Sequence, residues 1–185
     1  MLNPLLIKNL LAYPVVNNPG QEIVYRDQLR FDYSTLRERI CRLANALTKM
    51  GVKAGDTVGV MDWDSHRYLE CFFAVPMIGA VLHTVNIKLS PQQIAYTVNH
   101  AEDDFILVND ELLPIIEQIR SKLDSVQGYV VLADEKKDLS STVQIFGEYE
   151  ALLEAPWLST FPHITLILRF FSIYRAIMNE WPFTK

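Results

Sequence analysis

Residues 79–108 constrain the fold of this chain most strongly, because they encode a strand, a capped helix and a second strand in succession. The two apolar runs of this stretch, AVLHTV and FILV, are short enough to form buried strands. Between them, Ser90, Pro91 and Gln93 supply an N-cap, a proline at the first helical position and a capping-box partner. This alternation predicts parallel strands joined by helices that cover the sheet.

The same alternation extends over most of the chain. An apolar stripe at helical spacing predicts a helix over residues 35–50, with Thr35 and Glu38 at capping-box spacing and Gly51 in a left-handed position after the last turn. The other predicted elements are a short helix that ends near Pro14, a hairpin of residues 22–26 and 31–33, strands over 57–61 and 129–132, and helices over 65–78 and 112–123. We therefore predict an α/β fold with a mostly parallel sheet flanked by helices.

The composition is that of a folded domain, since 50% of the residues are hydrophobic and 21% are charged. The formal net charge of −5 gives no long-range attraction for nucleic acid, so we expect no nucleic-acid partner. Cys41 and Cys71 stand inside predicted helices without metal-ligand spacing, so we expect buried, reduced thiols and a cytoplasmic protein. The N-terminus lacks the basic region and cleavage site of a signal peptide.

The last thirty or so residues differ from the rest in composition. Residues 156–185 contain no glycine or aspartate, and three basic residues against Glu180 give them a charge of +2, which leaves −7 on residues 1–155 because the total is −5. The apolar run HITLILRFFSIY is too short to cross a bilayer as a helix, which needs about 20 residues. We therefore divide the chain into an α/β portion, residues 1–155, and a divergent apolar tail, residues 156–185. The tail aromatics could form a membrane-surface helix with Arg169 and Arg175, or could be sequence that never packs.

The sequence offers one candidate metal site and one candidate ligand-binding residue. Asp62, Asp64 and His66 alternate along the chain and could meet a cation, but Asp64 and Ser65 are good N-caps, so we favour a helix start with His66 at the surface. His83 could stand beside a ligand pocket, but we favour a histidine in the sheet that is hydrogen-bonded to backbone.

Three further features have structural interpretations. His100, Glu102 and Asp103 follow a predicted helix, where histidine complements the helix end and the acids begin the next turn. The aromatic set Tyr68, Phe72 and Phe73 could line a tunnel for an apolar ligand, but at helical spacing we favour core packing. The charge run of residues 135–138 is interpreted as a solvated loop. We assign no catalytic, cofactor-binding or metal-binding residue.

Several segments together carry a family resemblance. PLLIKNLL, QEIVYRD, YSTLRERICRLANAL and GEYEALLE, and above all the run from GVKAGDTV to FILV, resemble the N-terminal part of the fatty-acyl-CoA synthetases, which are adenylate-forming ligases. The resemblance implies a cytosolic enzyme that uses ATP and magnesium to convert a medium- or long-chain fatty acid into an acyl-adenylate, and CoA to form the thioester. It also implies a partial N-terminal domain of the adenylate-forming ligase fold.

The resemblance carries over no catalytic residue. The family's phosphate loop is rich in serine, threonine and glycine, and the 7 glycines of this chain are too scattered to form such a cluster. We therefore expect this chain to bind no cofactor and to be inactive alone. The tail of residues 156–185 does not resemble the family. A truncated product, a frameshift or a mis-assigned reading frame would each explain why the resemblance stops there.

Two other functions stay open from the sequence. The first is a non-catalytic module that forms a homodimer or pairs with an intact synthetase. The second is a peripheral membrane protein that uses the tail.

Overall fold

The structure is a computed structural model that describes residues 7–134 and 141–154. The predicted loop of residues 135–138 and the tail of residues 156–185 lie outside the described residues. The division of the chain after residue 155 therefore stays a prediction, as does membrane contact through the tail. Among the described residues, no helix has both the length and the apolar character needed to cross a membrane.

Six helices and seven strands are present within the described residues. The helices are α1 (Ile7–Asn17), α2 (Tyr33–Met50), α3 (His66–Met77), α4 (Pro91–Ala101), α5 (Leu113–Ile119) and α6 (Tyr149–Glu154). The strands are β1 (Glu22–Tyr25), β2 (Leu29–Asp32), β3 (Thr57–Met61), β4 (Val81–Thr84), β5 (Asp103–Asn109), β6 (Gly128–Leu132) and β7 (Ile145–Glu148). Strands β1 and β2 form the predicted antiparallel hairpin. The other five form a parallel sheet in the order β4-β3-β5-β6-β7. The predicted α/β fold with a parallel sheet is confirmed.

Helices cover both faces of the sheet and bury a separate core on each. One core lies under α1, α2, α3 and α6 and contains Ile40, Val75 and Tyr149. The other lies under α4 and α5 and contains Ile94 and Ile116. Each fully buried side chain of this size contributes roughly 1.5–3 kcal/mol through removal of apolar surface from water. The α3 and α4 crossovers thus lie on opposite faces, one on each side of strand β3.

The predicted helix termini are partly right. Ser90 caps α4 in a complete capping box with Gln93, as predicted. Gly51 follows α2 at φ 104°, also as predicted. The predicted capping box of Thr35 and Glu38 is wrong, because α2 starts earlier and Asp32 accepts a hydrogen bond from the Thr35 amide at 2.8 Å. An acid at this position also complements the positive end of the helix dipole.

Two further elements differ from the prediction. Helix α1 does not end at Pro14 but continues to Asn17, and the amide of Asn18 closes its last turn on the Pro14 carbonyl at 2.8 Å. The helix tolerates the proline because packing against α2 and α3 buries Leu11. Strand β7 was not predicted: it is four residues long and includes Gly147, so its local pattern is weak and it forms by pairing with β6.

Candidate functional site

The carboxyl edge of the sheet is the place where ligands gather in open α/β folds, between strands whose crossovers lie on opposite faces. Strands β3 and β5 flank such a point here, and Asp62 and Asn109 stand at their ends. The Asn109 side-chain amide donates to Asp62 Oδ1 at 2.9 Å, and Ser65 Oγ donates to Asp62 Oδ2. Asp62 therefore joins the end of β5 to Ser65, the N-cap of α3. The polar groups at this point are bonded to one another.

The candidate cation set of Asp62, Asp64 and His66 does not come together as a site. In the part of the chain that the structure describes, no group of three or more His, Cys, Asp or Glu side chains could hold a metal ion. Asp62 serves the start of α3, as the N-cap interpretation required, with Ser65 as the cap. The prediction that His66 lies at the surface is wrong, because its side chain is buried. Its Nε2 lies 3.4 Å from Glu150 Oε1.

An ion-pair cluster connects α2, α3 and α6. Arg39 on α2 donates from Nε to Glu70 of α3 at 2.7 Å, and from its two terminal nitrogens to Glu150 of α6 at 2.9 Å each. The hydroxyl of Tyr149 donates to the other oxygen of Glu70 at 2.5 Å. One guanidinium therefore holds two carboxylates, one through a two-point contact whose geometry matches its own planar fork.

The pKa values of the two carboxylates in this cluster shift in opposite directions. Glu70 is fully buried, and that burial raises its pKa, although the charge and hydrogen bond of Arg39 act in the opposite direction. Burial would also raise the pKa of Glu150, but hydrogen bonds from His66 and Arg39 together with the charge of Arg39 lower it to about 2. Burial raises the pKa of Tyr149 well above its usual value, and the neighbouring Glu70 raises it further. The same arginine thus opposes the effect of burial at both carboxylates, and it outweighs that effect only at Glu150.

Arg67 fastens the start of α3 to the end of β6. Its two terminal nitrogens both lie 2.9 Å from Asp134 Oδ1, and one of them also donates to the Ala133 carbonyl at 2.7 Å. The hydroxyl of Tyr25 donates to Asp134 at 3.4 Å, which brings the hairpin to the same place. Hydrogen bonding to Asp134 keeps the pKa of Arg67 raised although burial alone would lower it.

Two buried atoms in this region have no hydrogen-bond partner, namely His66 Nδ1 and Arg67 Nε. Arg67 Nε lies 3.4 Å from Glu150 Oε1, so the charges attract although the hydrogen-bond direction is poor. The His66 ring packs against the rings of Tyr25 and Phe31 at centroid distances of 5.0 and 6.0 Å.

His83 forms a second buried pair with Asp103. Its Nδ1 lies 2.8 Å from Asp103 Oδ2, so the predicted backbone partner is wrong although the position in the sheet is right. The two residues belong to β4 and β5, which lie on either side of β3, and Gly59 of β3 stands between them because a Cβ there would lie 2.6 Å from Asp103 Oδ2. Burial raises the pKa of Asp103, and its bond to His83 offsets part of that rise.

The other candidate residues take structural roles. His100 stacks on Tyr96 of the same helix at a centroid distance of 5.8 Å, and Glu102 is the left-handed residue that ends α4. Asp103 begins β5. Tyr68 lies in the core, and Phe73 packs against it from a partly buried position, as core packing predicted.

Phe72 is the exception among the aromatic residues. It lies at the surface, with its ring 5.3 Å from that of Tyr68.

Cys41 and Cys71 are free and fully buried, as predicted, and burial raises both of their pKa values.

A cleft of about 460 Å³ lies at the opposite, amino edge of the sheet, near Glu102, Asp104 and Asp124. Asp104 is already committed there, because its Oδ2 accepts from the Thr57 amide at 2.9 Å and its Oδ1 accepts from the side chain of Gln127 at 3.2 Å. Asp104 therefore holds the start of β5 against the start of β3.

Comparison with known proteins identifies the family. The family described as AMP-binding enzyme matches residues 12–158. The chain belongs to the AMP-binding enzyme family. It is 48% identical over 107 residues to a long-chain-fatty-acid–CoA ligase of Thermus thermophilus, which covers 58% of this chain and 20% of that protein. It is 33% identical over 157 residues to a medium-chain-fatty-acid–CoA ligase of Ectopseudomonas oleovorans, covering 83% of this chain and 29% of that protein.

The fold agrees with this family. The structure resembles the crystal structure of an anthranilate CoA ligase in complex with anthranoyl-AMP, with a TM-score of 0.75 at 20% identity over 86% of this chain and 29% of that chain. The predicted resemblance to the N-terminal part of the adenylate-forming ligase fold is thereby confirmed. This AMP-binding-family chain spans less than a third of the length of these relatives.

The starts of α3 and α4 and the side chains of Arg39 and Arg67 are already bonded to groups of the chain itself. The start of α3 is capped by Ser65 and that of α4 by Ser90, so these helix ends already have acceptors for their free amides. Arg67, which is buried, and Arg39, which is partly buried, are each paired with carboxylates of the chain itself. A triphosphate needs uncommitted donors and cations, and these groups are committed to the fold.

Sequence reasoning missed the ion-pair cluster. Arg39, Glu70, Tyr149 and Glu150 were not singled out, although Glu70 interrupts an otherwise apolar helix interior and a lone carboxylate there needs a partner. That signal marks Glu70 but does not name Arg39, because 31 residues separate them in sequence.

Proposed function

We propose that this chain is the N-terminal portion of an ATP-dependent fatty-acid–CoA ligase, and that by itself it does not form an acyl-adenylate. The observation that carries the proposal is the match of the AMP-binding enzyme family to residues 12–158, together with the fatty-acid–CoA ligases among the relatives. The intact enzyme would convert fatty acid, ATP and CoA into acyl-CoA, AMP and pyrophosphate, with magnesium bound to ATP. We propose a cytoplasmic location, which two unpaired, buried cysteines favour.

The role of this portion is to supply a rigid base for the rest of the ligase. Arg39, Arg67 and their carboxylate partners clamp α2, α3, α6 and the end of β6 together. Such a base fixes the position of α6 relative to α2 and α3, and preorganised catalytic groups require rigid support of this kind.

Pyrophosphate exchange tests the inactivity of the chain alone. Purified chain is incubated with ATP, magnesium, labelled pyrophosphate and fatty acids of several lengths, with an intact fatty-acid–CoA ligase as the positive control. We expect no label in ATP above the no-enzyme blank. Exchange that depends on the fatty acid and saturates with it would contradict the proposal.

A second candidate function is a non-catalytic module that pairs with an intact synthetase. The observation that favours it is the apolar outer face of α1, where Leu10, Tyr13 and Val16 are all strongly exposed. Co-purification of the chain with a full-length fatty-acid–CoA ligase, at a fixed ratio and lost on substitution of these residues, would support it. A chain that elutes separately from the ligase would count against it.

A further inference from the structure

Strand β4 is attached to the rest of the sheet in two ways. It lies at one end of the described sheet, is four residues long and pairs with β3. The backbone attachment includes bonds from the amide of Val81 to the Asp56 carbonyl at 2.8 Å and from the amide of Val85 to the Val60 carbonyl at 3.1 Å. A short edge strand of this kind opens more readily than the centre of a sheet. The second attachment is the side chain of His83, which lies between these two amides in sequence.

The His83 side chain passes over β3 to reach Asp103 on β5. Its Nδ1 lies 3.0 Å from Asp103 Oδ1 and 2.8 Å from Asp103 Oδ2. Gly59 of β3 stands opposite His83 in the register, and a Cβ there would lie 2.6 Å from Asp103 Oδ2 and 3.4 Å from Ile106 Cγ1. The glycine therefore leaves the space in which the two side chains meet, and the pair ties β4 directly to β5.

The Asp103 carboxylate depends on His83 for compensation of its charge. Asp103 has no exposed surface, and it is its backbone carbonyl, not its carboxylate, that accepts from Ser125 Oγ at 2.8 Å. Asp104, the next residue of β5, acts on Asp103 with a charge of the same sign. Asp124, beside Ser125, is exposed. A buried carboxylate without an opposite charge is strongly disfavoured, so the pair is most favourable when a proton on His83 supplies that charge.

The elements packed around the pair supply no replacement for that charge. Ile106 belongs to the core under α4 and α5, so the pair lies on that face of the sheet. Helix α4 turns Ile94 and Val98 toward this core and contains no Asp, Glu, Lys or Arg. Its titratable residues, Tyr96 and His100, are exposed and stack on each other at a centroid distance of 5.8 Å. Strand β3 contains no titratable residue.

Loss of protons weakens the pair. Burial raises the pKa of Asp103, although the hydrogen bond and charge of His83 oppose the rise. The folded chain therefore binds protons at this carboxyl more tightly than the unfolded chain, and the stability contributed here falls as the pH rises. Loss of the proton from His83 acts in the same direction, because it leaves the buried carboxylate beside Asp104 without an opposite charge.

We propose that His83 and Asp103 form a proton-dependent lock on the edge strand β4, which holds the strand in place while the pair retains a proton and loosens it as the pH rises. The inference goes beyond the proposed ligase function and does not depend on it. The loosening is a local opening of β4, since the backbone bonds between β5 and β6 do not involve the pair.

Hydrogen exchange of single amides in the full-length chain, followed by NMR, measures the lock directly. The reporters are the amides of Val81 and Val85, and the reference is the amide of Tyr129, which donates to the Gln144 carbonyl at 3.0 Å near the other end of the described sheet. Rates are corrected for the intrinsic dependence of exchange on pH. Between pH 5 and pH 9 we expect the protection of Val81 and Val85 to fall about tenfold, the effect of a change of one unit in a pKa, while that of Tyr129 stays constant.

Two variants separate the charge of the pair from its shape. Asp103→Asn keeps the shape of the side chain and removes its charge, so the fall in protection of Val81 and Val85 with rising pH should disappear. Glu102→Gln is the matched control, because it removes the same charge from the adjacent, exposed residue. It should leave the pH profile of the wild type unchanged. If Asp103→Asn does not fold, the wild-type exchange profile and the state of the imidazole decide the question.

Nitrogen-15 NMR of the imidazole side chains tests where the proton lies. His83 should carry a proton on Nδ1 at every pH at which β4 is protected, because this nitrogen faces both oxygens of Asp103. Its signals should change over the same pH range as the protection of Val81 and Val85. The exposed His100 is the internal control, and its loss of a proton should leave these amides unaffected.

Four outcomes would overturn the proposal. The first is protection of Val81 and Val85 that does not depend on pH. The second is an equal fall at Tyr129, which would show a global effect. The third is a wild-type pH profile in Asp103→Asn, and the fourth is a His83 Nδ1 without a proton while β4 is protected. Pyrophosphate exchange is a separate measurement, so the ligase proposal stands or falls independently of these results.

Discussion

Arg39 on α2 holds Glu150 on α6 through two hydrogen bonds of 2.9 Å, although 111 residues separate them in sequence. The same guanidinium holds Glu70, which has no exposed surface. The contact therefore joins three helices on one face of the sheet. It makes the position of α6, the last described element, depend on a residue near the start of the fold.

Removal of Arg39 should destabilise the chain severely. Arg39→Ala leaves the buried carboxylate of Glu70 without its cation, so we expect the free energy of unfolding to fall by about 3–5 kcal/mol. Urea unfolding followed by circular dichroism measures the change. The control is Arg42→Ala on the same helix, because Arg42 pairs with Glu38 at the exposed surface. Its loss should cost less than about 1 kcal/mol, and equal effects of the two variants would contradict the role assigned to Arg39.

Glu150 should make the stability of the chain depend on acid pH. Its pKa is about 2 in the folded chain against an ordinary value of 4.5 for glutamate, so the unfolded chain binds more protons between these values. The contribution of Glu150 is fully present above about pH 4.5 and is lost as the pH falls toward 2. Glu70 acts with the opposite sign, because burial raises its pKa.

Comparison of urea midpoints of the wild type and Glu150→Gln from pH 7 to pH 2 isolates this contribution. The variant should be less stable than the wild type at pH 7, and the difference should shrink as the pH falls. A difference that is constant across this range would show that Glu150 stabilises the chain without its charge.

Gly59 should not tolerate a side chain. A Cβ at this position would lie 2.6 Å from Asp103 Oδ2 and 3.2 Å from Asp103 Cγ, in the space through which His83 meets that carboxylate. We expect Gly59→Ala to lower the free energy of unfolding by about 1–3 kcal/mol through overpacking. Gly20→Ala is the matched control, since no atom lies within 4 Å of a Cβ there. Thermal unfolding of both variants distinguishes them, and equal melting temperatures would refute the crowding.

Ser65 should matter more than an ordinary N-cap. Ser65→Ala removes the cap of α3, at a cost of about 1 kcal/mol, and also removes one of the two side-chain donors to the buried Asp62. Ser90→Ala removes the cap of α4, where the serine is exposed. Urea unfolding should therefore show a larger loss for Ser65→Ala than for Ser90→Ala. An equal or smaller loss of stability for Ser65→Ala would mean that the hydrogen bond from Ser65 to Asp62 does not stabilise the chain.

The features that follow from local sequence were predictable. The capping box at Ser90 and Gln93 and the left-handed Gly51 depend on residues within one helical turn, and the alternation of strands and helices implies a parallel sheet. Strand β7 was not predictable from its own residues, because Gly147 breaks the pattern and pairing with β6 supplies its stability.

The charged contacts could not be predicted either, because they too depend on elements that are distant in sequence. Arg39 and Glu150, like His83 and Asp103, meet only after distant elements pack, so no local spacing identifies them. A carboxylate inside an apolar helix, as at Glu70, signals that a buried partner exists without saying where it lies in the sequence. The end of α1 was misjudged because tertiary packing offsets the hydrogen bond that Pro14 removes.

Titration of magnesium-ATP into the purified chain, followed by calorimetry, tests most directly whether this portion of the AMP-binding fold can hold a nucleotide. With Arg39 and Arg67 neutralised by their own carboxylates and the starts of α3 and α4 capped by serines, we predict heats no larger than those of dilution at millimolar ATP. A saturable isotherm with one site per chain, retained at physiological salt, would contradict that prediction.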